Sequence, residues 1–442
     1  MGDRKMSKAN LEELNKKMKY TIDLDALHKT YQELLYIENT DRIDVVLAVA
    51  LSKKLKGIPL WLIVVGPSGD MKSAQLNAIR TDDTFVLHNL TSKTLVNGYK
   101  DKKEHPDLAP KLDGKVIIIG DMAQILKLPA VEKGELWGQL RDLYDGFAGK
   151  ESGMGCSSKY EDLKVTLLAG STPTIDGQIL VHQDLGTREL IYRTSGNKNK
   201  EKVMEKCFEN EEHEERIKNE LREVTTKFLE QTKIKKLEVS REILDKIKGI
   251  AIYVTYMRCS AEFDSYTNEL RNYCYPEEPT RIAKQLKRLF ICLKSLEEDY
   301  PDEKALRILW HTAKSSAFPV RVKIYEYLKE MKGEYSTSQL SQTLNIGKST
   351  TKRECSVLEN IGLFNCRRAE TSFPDKFYEY WSFKGKPSKD IIDSVVGDNI
   401  YKSIISLDGS KEKKELKIDN LEVSKGKEEI EIIKIGDKKD EK

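Results

Sequence analysis

The fold of this chain is decided by one stretch of its sequence, Leu62-Ile63-Val64-Val65-Gly66-Pro67-Ser68-Gly69-Asp70-Met71-Lys72-Ser73. Its first four residues predict a buried strand, the next residues a glycine turn, and the run from Ala74 to Ile79 a helix. This order is typical of a phosphate-binding loop, whose backbone N–H groups and helix start surround the phosphates of a nucleotide. Lys72 supplies the positive charge, and the Ser73 hydroxyl holds Mg²⁺. The sequence therefore predicts that residues 66–73 bind ATP and Mg²⁺.

The motif departs from the usual pattern at one position, because Met71 stands where the second glycine belongs. A Cβ atom there crowds the turn, although a residue with a negative φ could still fit. The alternative interpretation is a chance lysine–serine pair after a glycine turn. The strand before the turn, the helix after it and the motifs further along the chain favour the phosphate loop.

Several other short apolar runs follow the same pattern as the first strand. They are Thr84–Leu87, Val116–Ile119, Val165–Leu168 and, more weakly, Leu190–Tyr192. Continuous apolar strands separated by segments of helix length are typical of a parallel sheet covered on both faces. We therefore predict an α/β nucleotide-binding core.

The strand Val116–Ile119 leads into Gly120-Asp121-Met122. A carboxylate at the end of a strand beside a phosphate loop is the usual partner of the Mg²⁺ ion, so Asp121 is the candidate; the alternative is that it only caps the strand end. Met122 occupies the place of the glutamate that usually polarises the attacking water. Either another carboxylate replaces it, or hydrolysis is slow, and the nearby choices are Glu132, Glu135, Asp142 and Asp145.

With these motifs placed, the chain resembles the AAA+ ATPases over residues 41–300, in particular the branch of the minichromosome-maintenance helicases. The resemblance implies that Thr172, before Pro173, is the first sensor of the γ-phosphate. It implies that Arg188 is the finger that reaches a neighbouring subunit's site, with Arg193 as an alternate. It also implies that Arg281 is the second sensor, on a lid helix near the phosphates.

The same resemblance extends to a glycine-flanked segment between Asp121 and Thr172. Residues 146–159 are similar to the hairpin that those helicases insert into a central pore, which makes Lys150 and Lys159 candidate DNA contacts; an ordinary surface loop has the same pattern. The chain also resembles ATPases of phages, plasmids and integrated elements. A ring of identical subunits, such as a hexamer, is implied.

A separate pattern follows residue 319. Three helices are predicted over 321–331, 336–344 and 348–360, and two aromatic strands follow them. This is the pattern of a winged helix-turn-helix, whose third helix enters the major groove of DNA. The candidate DNA contacts are Lys348, Ser349, Thr350, Lys352 and Arg353 on that helix, and Arg367 and Arg368 at the wing. The alternative is a winged helix that docks a protein.

Composition limits the remaining choices. The chain has 39% apolar and 33% charged residues, and its longest apolar run, Trp61–Val65, is too short to span a bilayer. The polar start lacks a signal sequence, so we expect a cytoplasmic protein with no membrane partner. The net charge is only +3, from 75 basic and 72 acidic side chains, so any affinity for DNA must come from local clusters.

Together the patterns predict five parts: an N-terminal helical segment 1–40, the AAA+ core 41–196, a helical lid 197–300, the winged-helix domain 301–390, and a charged, disordered tail 391–442. In the lid we expect helices over 201–229, 240–257, 262–273 and 280–296.

Two functions of different classes fit these parts. The first is an ATP-driven, ring-forming DNA motor, helicase or replication-initiation ATPase. The second is a DNA-binding regulator, or a protein of a mobile-element or phage-conflict system, whose degenerate ATPase acts as a nucleotide switch.

Overall fold

A five-stranded parallel sheet lies at the centre of the chain in a computed structural model, which describes residues 21–91, 93–97, 106–152, 156–177, 187–196, 199–267, 269–370 and 377–384. Its strands are β1 Trp61–Val65, β2 Thr84–Val86, β3 Val116–Ile119, β6 Thr166–Ser171 and β7 Leu190–Arg193. Their order across the sheet is β2-β3-β6-β1-β7, and every pair is parallel. The predicted parallel α/β sheet is confirmed, and its central strands β1, β3 and β6 are buried throughout, while the edge strand β2 is partly buried.

Both faces of this sheet are covered, which explains why its strands are apolar without alternation. Leu62 and Val64 of β1 belong to one core cluster, while Trp61, Ile63 and Val65 belong to the other. The first cluster packs the helices α1 Leu24–Leu35, α2 Thr40–Leu51, α3 Lys72–Ala78, α7 Glu214–Gln231, α8 Arg241–Met257, α9 Thr280–Lys294 and α10 Asp302–Ser315. The second packs α4 Ala123–Leu126 and α5 Ala130–Tyr144.

An antiparallel hairpin interrupts the sheet order between β3 and β6. Its strands are β4 Ala148–Ser152 and β5 Cys156–Tyr160, with Lys150 opposite Ser158 and Gly149 opposite Lys159. The hairpin lies where the sequence indicated two glycine-flanked arms.

Two helices of the predicted lid differ from expectation. The helix expected over 201–229 is divided into α6 Lys200–Asn210 and α7 by a turn at 211–213. The helix expected over 262–273 does not form; instead Phe263 forms a bridge with Leu270. The Asp264 carboxylate accepts hydrogen bonds from the amides of Tyr266 and Thr267, at 2.8 and 2.9 Å, and so competes for the donors a helix would need.

The C-terminal part is built from three helices and a small antiparallel sheet. Its elements are α11 Pro319–Met331, β8 Glu334–Ser336, α12 Thr337–Leu344, α13 Lys348–Asn360, β9 Phe364–Glu370 and β10 Phe377–Phe383. The sheet order is β8-β10-β9. Thr351, Cys355 and Leu358 of α13 are fully buried, as the sequence predicted. Strand β8 was not predicted, because it has only three residues.

Helix α10 joins the C-terminal part to the parallel sheet. It lies along β7, where the Ser315 and Ser316 hydroxyls accept hydrogen bonds from the amides of Arg193 and Ile191, at 3.1 and 2.8 Å. These bonds cover an edge strand that would otherwise expose its amides.

The five-part division of the chain stays a prediction. The described residues fall in one compact unit, and residues 1–20 and the predicted tail lie outside them. Within the described ranges, no helix combines the length and the hydropathy that a bilayer span requires.

Candidate functional site

The predicted phosphate loop lies at the carboxyl edge of the parallel sheet, where ligands of open α/β sheets bind. The Gly66 amide donates to the Ser171 carbonyl at 3.2 Å, which joins the loop to the end of β6. The Ser73 hydroxyl donates to the Gly120 carbonyl at 3.2 Å, which joins it to the end of β3. Ser73 and Asp121, the predicted Mg²⁺ ligands, are thus brought to the same edge.

Lys72 is folded over the loop. It is 9% exposed, and its Nζ donates to the carbonyl oxygens of Gly66 and Pro67 at 2.9 and 2.5 Å. Burial lowers the pKa of Lys72, and the carboxylate of Asp70 opposes that shift. The amine is therefore held at the centre of the loop, where phosphate oxygens could replace the two carbonyl acceptors.

Met71 has the backbone conformation of the glycine that it replaces. Its φ is +51°, and its neighbour Gly69 has a φ of +78°. The sequence left open that a negative φ would relieve the crowding at this position, and the structure shows that the chain does not take it. A left-handed residue with a Cβ atom costs about 1–2 kcal/mol, so this loop carries backbone strain.

We expect Met71→Gly to raise the free energy of unfolding by about 0.5–1 kcal/mol, because the relief of strain exceeds the entropy that glycine adds to the unfolded chain. Denaturant unfolding measures the change. Lys332→Gly is the matched control, because Lys332 has a φ of +50° at the end of α11, away from the loop. A loss of stability in Met71→Gly alone would mean that the methionine side chain contributes more than the strain costs.

A buried network of polar side chains, which we call the brace, contacts the loop through Asp70. The Arg42 guanidinium donates to the Asp70 carbonyl at 2.7 Å, lies 3.2 Å from its carboxylate and donates to Gln75 at 2.7 Å. The Thr194 hydroxyl donates to the same carboxylate at 2.5 Å. Burial lowers the pKa of Arg42, and Asp70 opposes the shift.

This brace explains why position 66 must be glycine. A Cβ atom on Gly66 would lie 2.0 Å from the Thr194 hydroxyl oxygen and 2.7 Å from the Asp70 carboxylate. Sequence reasoning missed Arg42, Gln75 and Thr194. The one available signal was a charged residue, Arg42, at the start of a helix whose later residues, 45–51, are all apolar.

The catalytic candidates at this edge are only partly assembled. The Asp121 carboxylate is exposed and accepts a hydrogen bond from the Ala123 amide at 2.9 Å, so it caps the following turn. Met122 is 1% exposed and packs in the core, so its position offers no group to the site. Thr172 follows β6 at the same edge, where its hydroxyl shares a 2.7 Å hydrogen bond with that of Thr174.

The two arginines that were expected to sense nucleotide lie together at the opposite edge of the sheet. The Arg281 guanidinium donates to the Thr187 carbonyl at 3.1 Å, and Arg188 pairs with Asp145 at 2.8 Å. Thr187 and Arg188 directly precede β7, so these contacts lie at the amino end of that strand. About 15 Å of strand separates that edge from the loop. The structure therefore does not bring Arg281 to the phosphate loop of its own chain, because α9 begins at the amino edge.

The amino-edge cluster is tied together by Gln285. Its amide donates to the Tyr144 hydroxyl at 2.9 Å and to the Arg188 carbonyl at 2.5 Å. Burial raises the pKa of Tyr144 to about 12, and Arg281 opposes the shift. Asp145, one of the four candidate carboxylates, belongs to this cluster and not to the loop.

Arg193, the alternate finger, lies at the carboxyl edge instead. It is paired with Val65 across the sheet, and its guanidinium contacts both carboxylate oxygens of Asp176 at 3.1 and 2.5 Å. The His311 ring is 2.7 Å from its carbonyl oxygen. Arg193 therefore lies at the same edge of the sheet as the phosphate loop of its own chain.

A cavity of about 250 Å³ adjoins the loop. Its lining includes Ile37, Asn39, Asp70, Tyr192 and Ser195. Sequence reasoning missed it, because its walls come from the segment before α2 and from the end of β7. Its place beside the loop and its partly apolar walls suit a flat, polar ring.

The residues predicted to contact DNA lie in several different surroundings. Lys348, Ser349 and Lys352 line a cavity of about 410 Å³ beside α13, where Lys352 pairs with Glu379 at 3.1 Å. Arg353 instead lies over the Phe263 ring, 5.3 Å from its centroid. Arg367 pairs with Glu334 at 2.6 Å.

The remaining candidates are more dispersed. Thr350 is exposed on α13, and Arg368 lines a second cavity beside that helix. On the hairpin, Lys159 pairs with Glu161 at 2.5 Å, while Lys150 is partly exposed. The structure thus does not gather all the predicted contacts on one surface.

Comparisons with known proteins add little to this geometry. No family model and no curated protein matches the chain. One matching solved structure is NtrX from Brucella abortus in complex with ATP, at 12% identity over 73% of this chain and 67% of that chain, with a TM-score of 0.25. At that score the match supports no conclusion about fold or function. Among the residues that the structure describes, no cluster of histidine, cysteine and carboxylate side chains could hold a metal ion.

Proposed function

We propose that this protein binds ATP and Mg²⁺ at residues 66–73. The single observation that supports this most is the position of Lys72, which is held in the centre of a glycine turn at the carboxyl edge of a parallel sheet. Ser73 and Asp121 would hold the Mg²⁺ ion, which would neutralise phosphate charge. The adjoining cavity would take the base.

We also propose that ATP is hydrolysed by an assembly of several copies, as in the AAA+ ATPases that the sequence resembles. Arg188 lies about 15 Å from the loop of its own chain, so any part it takes in hydrolysis would be at the site of a neighbour. The same holds for Arg281. Thr172, next to Asp121 at the carboxyl edge, would position water in the site of its own chain.

The third part of the proposal is that the C-terminal helices bind DNA. The order of α11, β8, α12, α13, β9 and β10 is that of a winged helix-turn-helix, and α13 presents Lys348, Ser349 and Lys352 together. Lysines at the start of such a helix suit phosphate contacts in and beside the major groove.

Neutralising Lys348 and Lys352 together is expected to weaken DNA binding and to reduce its salt dependence. The slope of log affinity against log salt should fall by about one unit for each lost phosphate contact. The double variant Lys246→Ala/Lys248→Ala on α8 is the control, since both lysines pair with carboxylates of their own helix. Titrations of DNA with each variant at several salt concentrations measure this slope. An unchanged slope would favour a protein-docking role for this domain.

A second candidate function is a DNA-binding regulator in which ATP acts as a switch. The observation that favours it is the burial of Met122, which leaves no carboxylate directly after Asp121. Hydrolysis by such a protein would be slow, and a neighbouring arginine would matter little.

One experiment separates the two functions. ATP hydrolysis is measured with and without DNA, together with the mass of the protein in solution with and without ATP. An assembly that hydrolyses ATP faster on DNA supports the motor. A monomer that binds ATP but barely hydrolyses it supports the switch, and a protein that does not bind ATP excludes both.

A further inference from the structure

The segment between α8 and α9, which the structure describes over residues 258–267 and 269–279, covers one side of helix α13. We call it the tyrosine loop, because Tyr266, Tyr273 and Tyr275 project from it. It is a folded segment: Phe263 forms a bridge with Leu270, and the Asp264 carboxylate closes the turn between them.

Several contacts fix the tyrosine loop to α13. The Cys274 amide donates to the Asn360 side chain at 2.8 Å, and the Arg353 guanidinium lies over the Phe263 ring. Cys259 and Cys274 form a buried cluster with Val357 of α13. The loop therefore belongs to the same surface as the helix that we propose for DNA binding.

Exposed aromatic side chains concentrate around this helix. Tyr266, Tyr273 and Tyr275 are 95, 77 and 79% exposed, and Phe377 and Tyr378 of β10 are 54 and 60% exposed. These are five of the seven large aromatic side chains that are exposed in the described part of the chain. Such a concentration of exposed rings is typical of a binding surface.

Basic side chains lie between these rings. The cavity of about 410 Å³ joins Thr267 of the loop to Lys348, Lys352 and Tyr378. The second cavity, of about 600 Å³, joins Tyr273 to Lys352 and Arg368. Other charges are present as well: the second cavity also contains Arg271 and the carboxylates of Glu269, Glu359 and Glu379, the last of which lines the first cavity too.

This mixture of positive and negative side chains indicates which class of ligand the surface suits. Three basic and three acidic side chains line the second cavity, so charge alone gives it little attraction for a phosphate backbone. Exposed rings next to lysines instead suit unpaired bases, which stack on aromatic side chains while the backbone follows nearby positive charges. A base inside a duplex is already stacked and offers no free face.

We propose that the tyrosine loop binds unpaired nucleotides of DNA that continue from a duplex held by α13. The chain would then recognise a junction between double- and single-stranded DNA. Tyr273, which lines a cavity with Lys352, and Tyr266, next to Thr267 of the other cavity, would supply the stacking faces. This inference rests on the proposed DNA binding of the C-terminal helices and adds the form of DNA that is preferred.

The test compares a blunt duplex with the same duplex extended by a tail of about ten unpaired nucleotides. Fluorescence anisotropy with the full chain gives both affinities. We expect the wild type to bind the tailed DNA about tenfold or more tightly, since stacking on one aromatic side chain contributes at least about fivefold per base. Tyr266→Ala/Tyr273→Ala should lose this preference and keep its affinity for the blunt duplex.

Two further variants make the result specific. Tyr266→Phe/Tyr273→Phe retains the rings and should retain the preference for tailed DNA. Phe208→Ala removes a ring of 72% exposure from α6 and should change nothing. Equal affinity of the wild type for both DNAs, or an unchanged preference in the alanine pair, would overturn the inference while leaving duplex binding intact. Failure to bind the blunt duplex would instead contradict the proposed DNA binding by α13.

Discussion

Replacing Lys72 with alanine is expected to abolish ATP binding and hydrolysis while the protein stays folded. The amine is the positive charge at the centre of the loop, so its loss leaves phosphate oxygens with backbone donors alone. The variant also leaves the carbonyl oxygens of Gly66, which is buried, and of Pro67, which is exposed, without the lysine amine. Isothermal titration with ATP and Mg²⁺ and a turnover assay measure the effect.

Lys54→Ala is the matched control for this experiment. Lys54 also uses its amine to bind two backbone carbonyls, those of Leu229 and Thr232 at 2.7 and 2.8 Å, and burial lowers its pKa as well. It therefore reproduces the loss of two amine–carbonyl hydrogen bonds away from the loop. Lys72→Ala with wild-type turnover would show that residues 66–73 are not a phosphate loop.

The sequence alone predicts those elements whose pattern lies within one short stretch of the chain. Strands β1 and β3 are short apolar runs, and a strand buried on both faces needs no partner to be recognised. The loop at residues 66–73 is equally local, since strand, turn and helix are contiguous. Helix α13 follows from its own spacing, with Thr351, Cys355 and Leu358 on one buried face.

The sequence alone does not predict contacts between residues that are far apart along the chain. The brace of Arg42, Asp70 and Thr194 joins residues 28 and 124 positions apart. Arg281 was expected near the phosphates, but the start of α9 is set by packing against other helices, which no local pattern reveals. Within the tyrosine loop, the charged, heptad-like pattern predicts a helix over residues 262–273, but the side chain of Asp264 closes a turn there instead.

Helix α10 gives a physical route between the two proposed sites. Ser315 accepts a hydrogen bond from the Arg193 amide, beside the phosphate loop, and α11 follows α10 directly along the chain. Arg321 of α11 donates to the Cys259 carbonyl at 2.6 Å and pairs with Glu354 of α13 at 2.7 Å. Hydrogen bonds and ion pairs thus connect β7, through α10 and α11, to both α13 and the tyrosine loop.

Replacing Arg188 with alanine is expected to leave ATP binding intact and to lower hydrolysis by about 10³–10⁵-fold, the range for arginines that stabilise phosphoryl transfer in trans. Lys72 remains in the pocket of the same chain, so binding persists. Mixing Arg188→Ala with Lys72→Ala protein should restore part of the activity, because some interfaces then combine an intact pocket with an intact arginine. Hydrolysis of the two variants, separately and mixed, measures this.

The pairing of Arg188 with Asp145 gives the competing explanation and its control. If the arginine serves only that ion pair, Asp145→Ala should reproduce every effect of Arg188→Ala, a stability loss of about 1 kcal/mol or less at this partly exposed site. If Arg188 acts on a neighbour, Asp145→Ala removes only this carboxylate partner, and hydrolysis should persist. Equal loss of hydrolysis in both variants, with no recovery on mixing, would exclude the trans arginine, because an interface that needs Arg188 from one copy and Lys72 from another must be rescued by mixing.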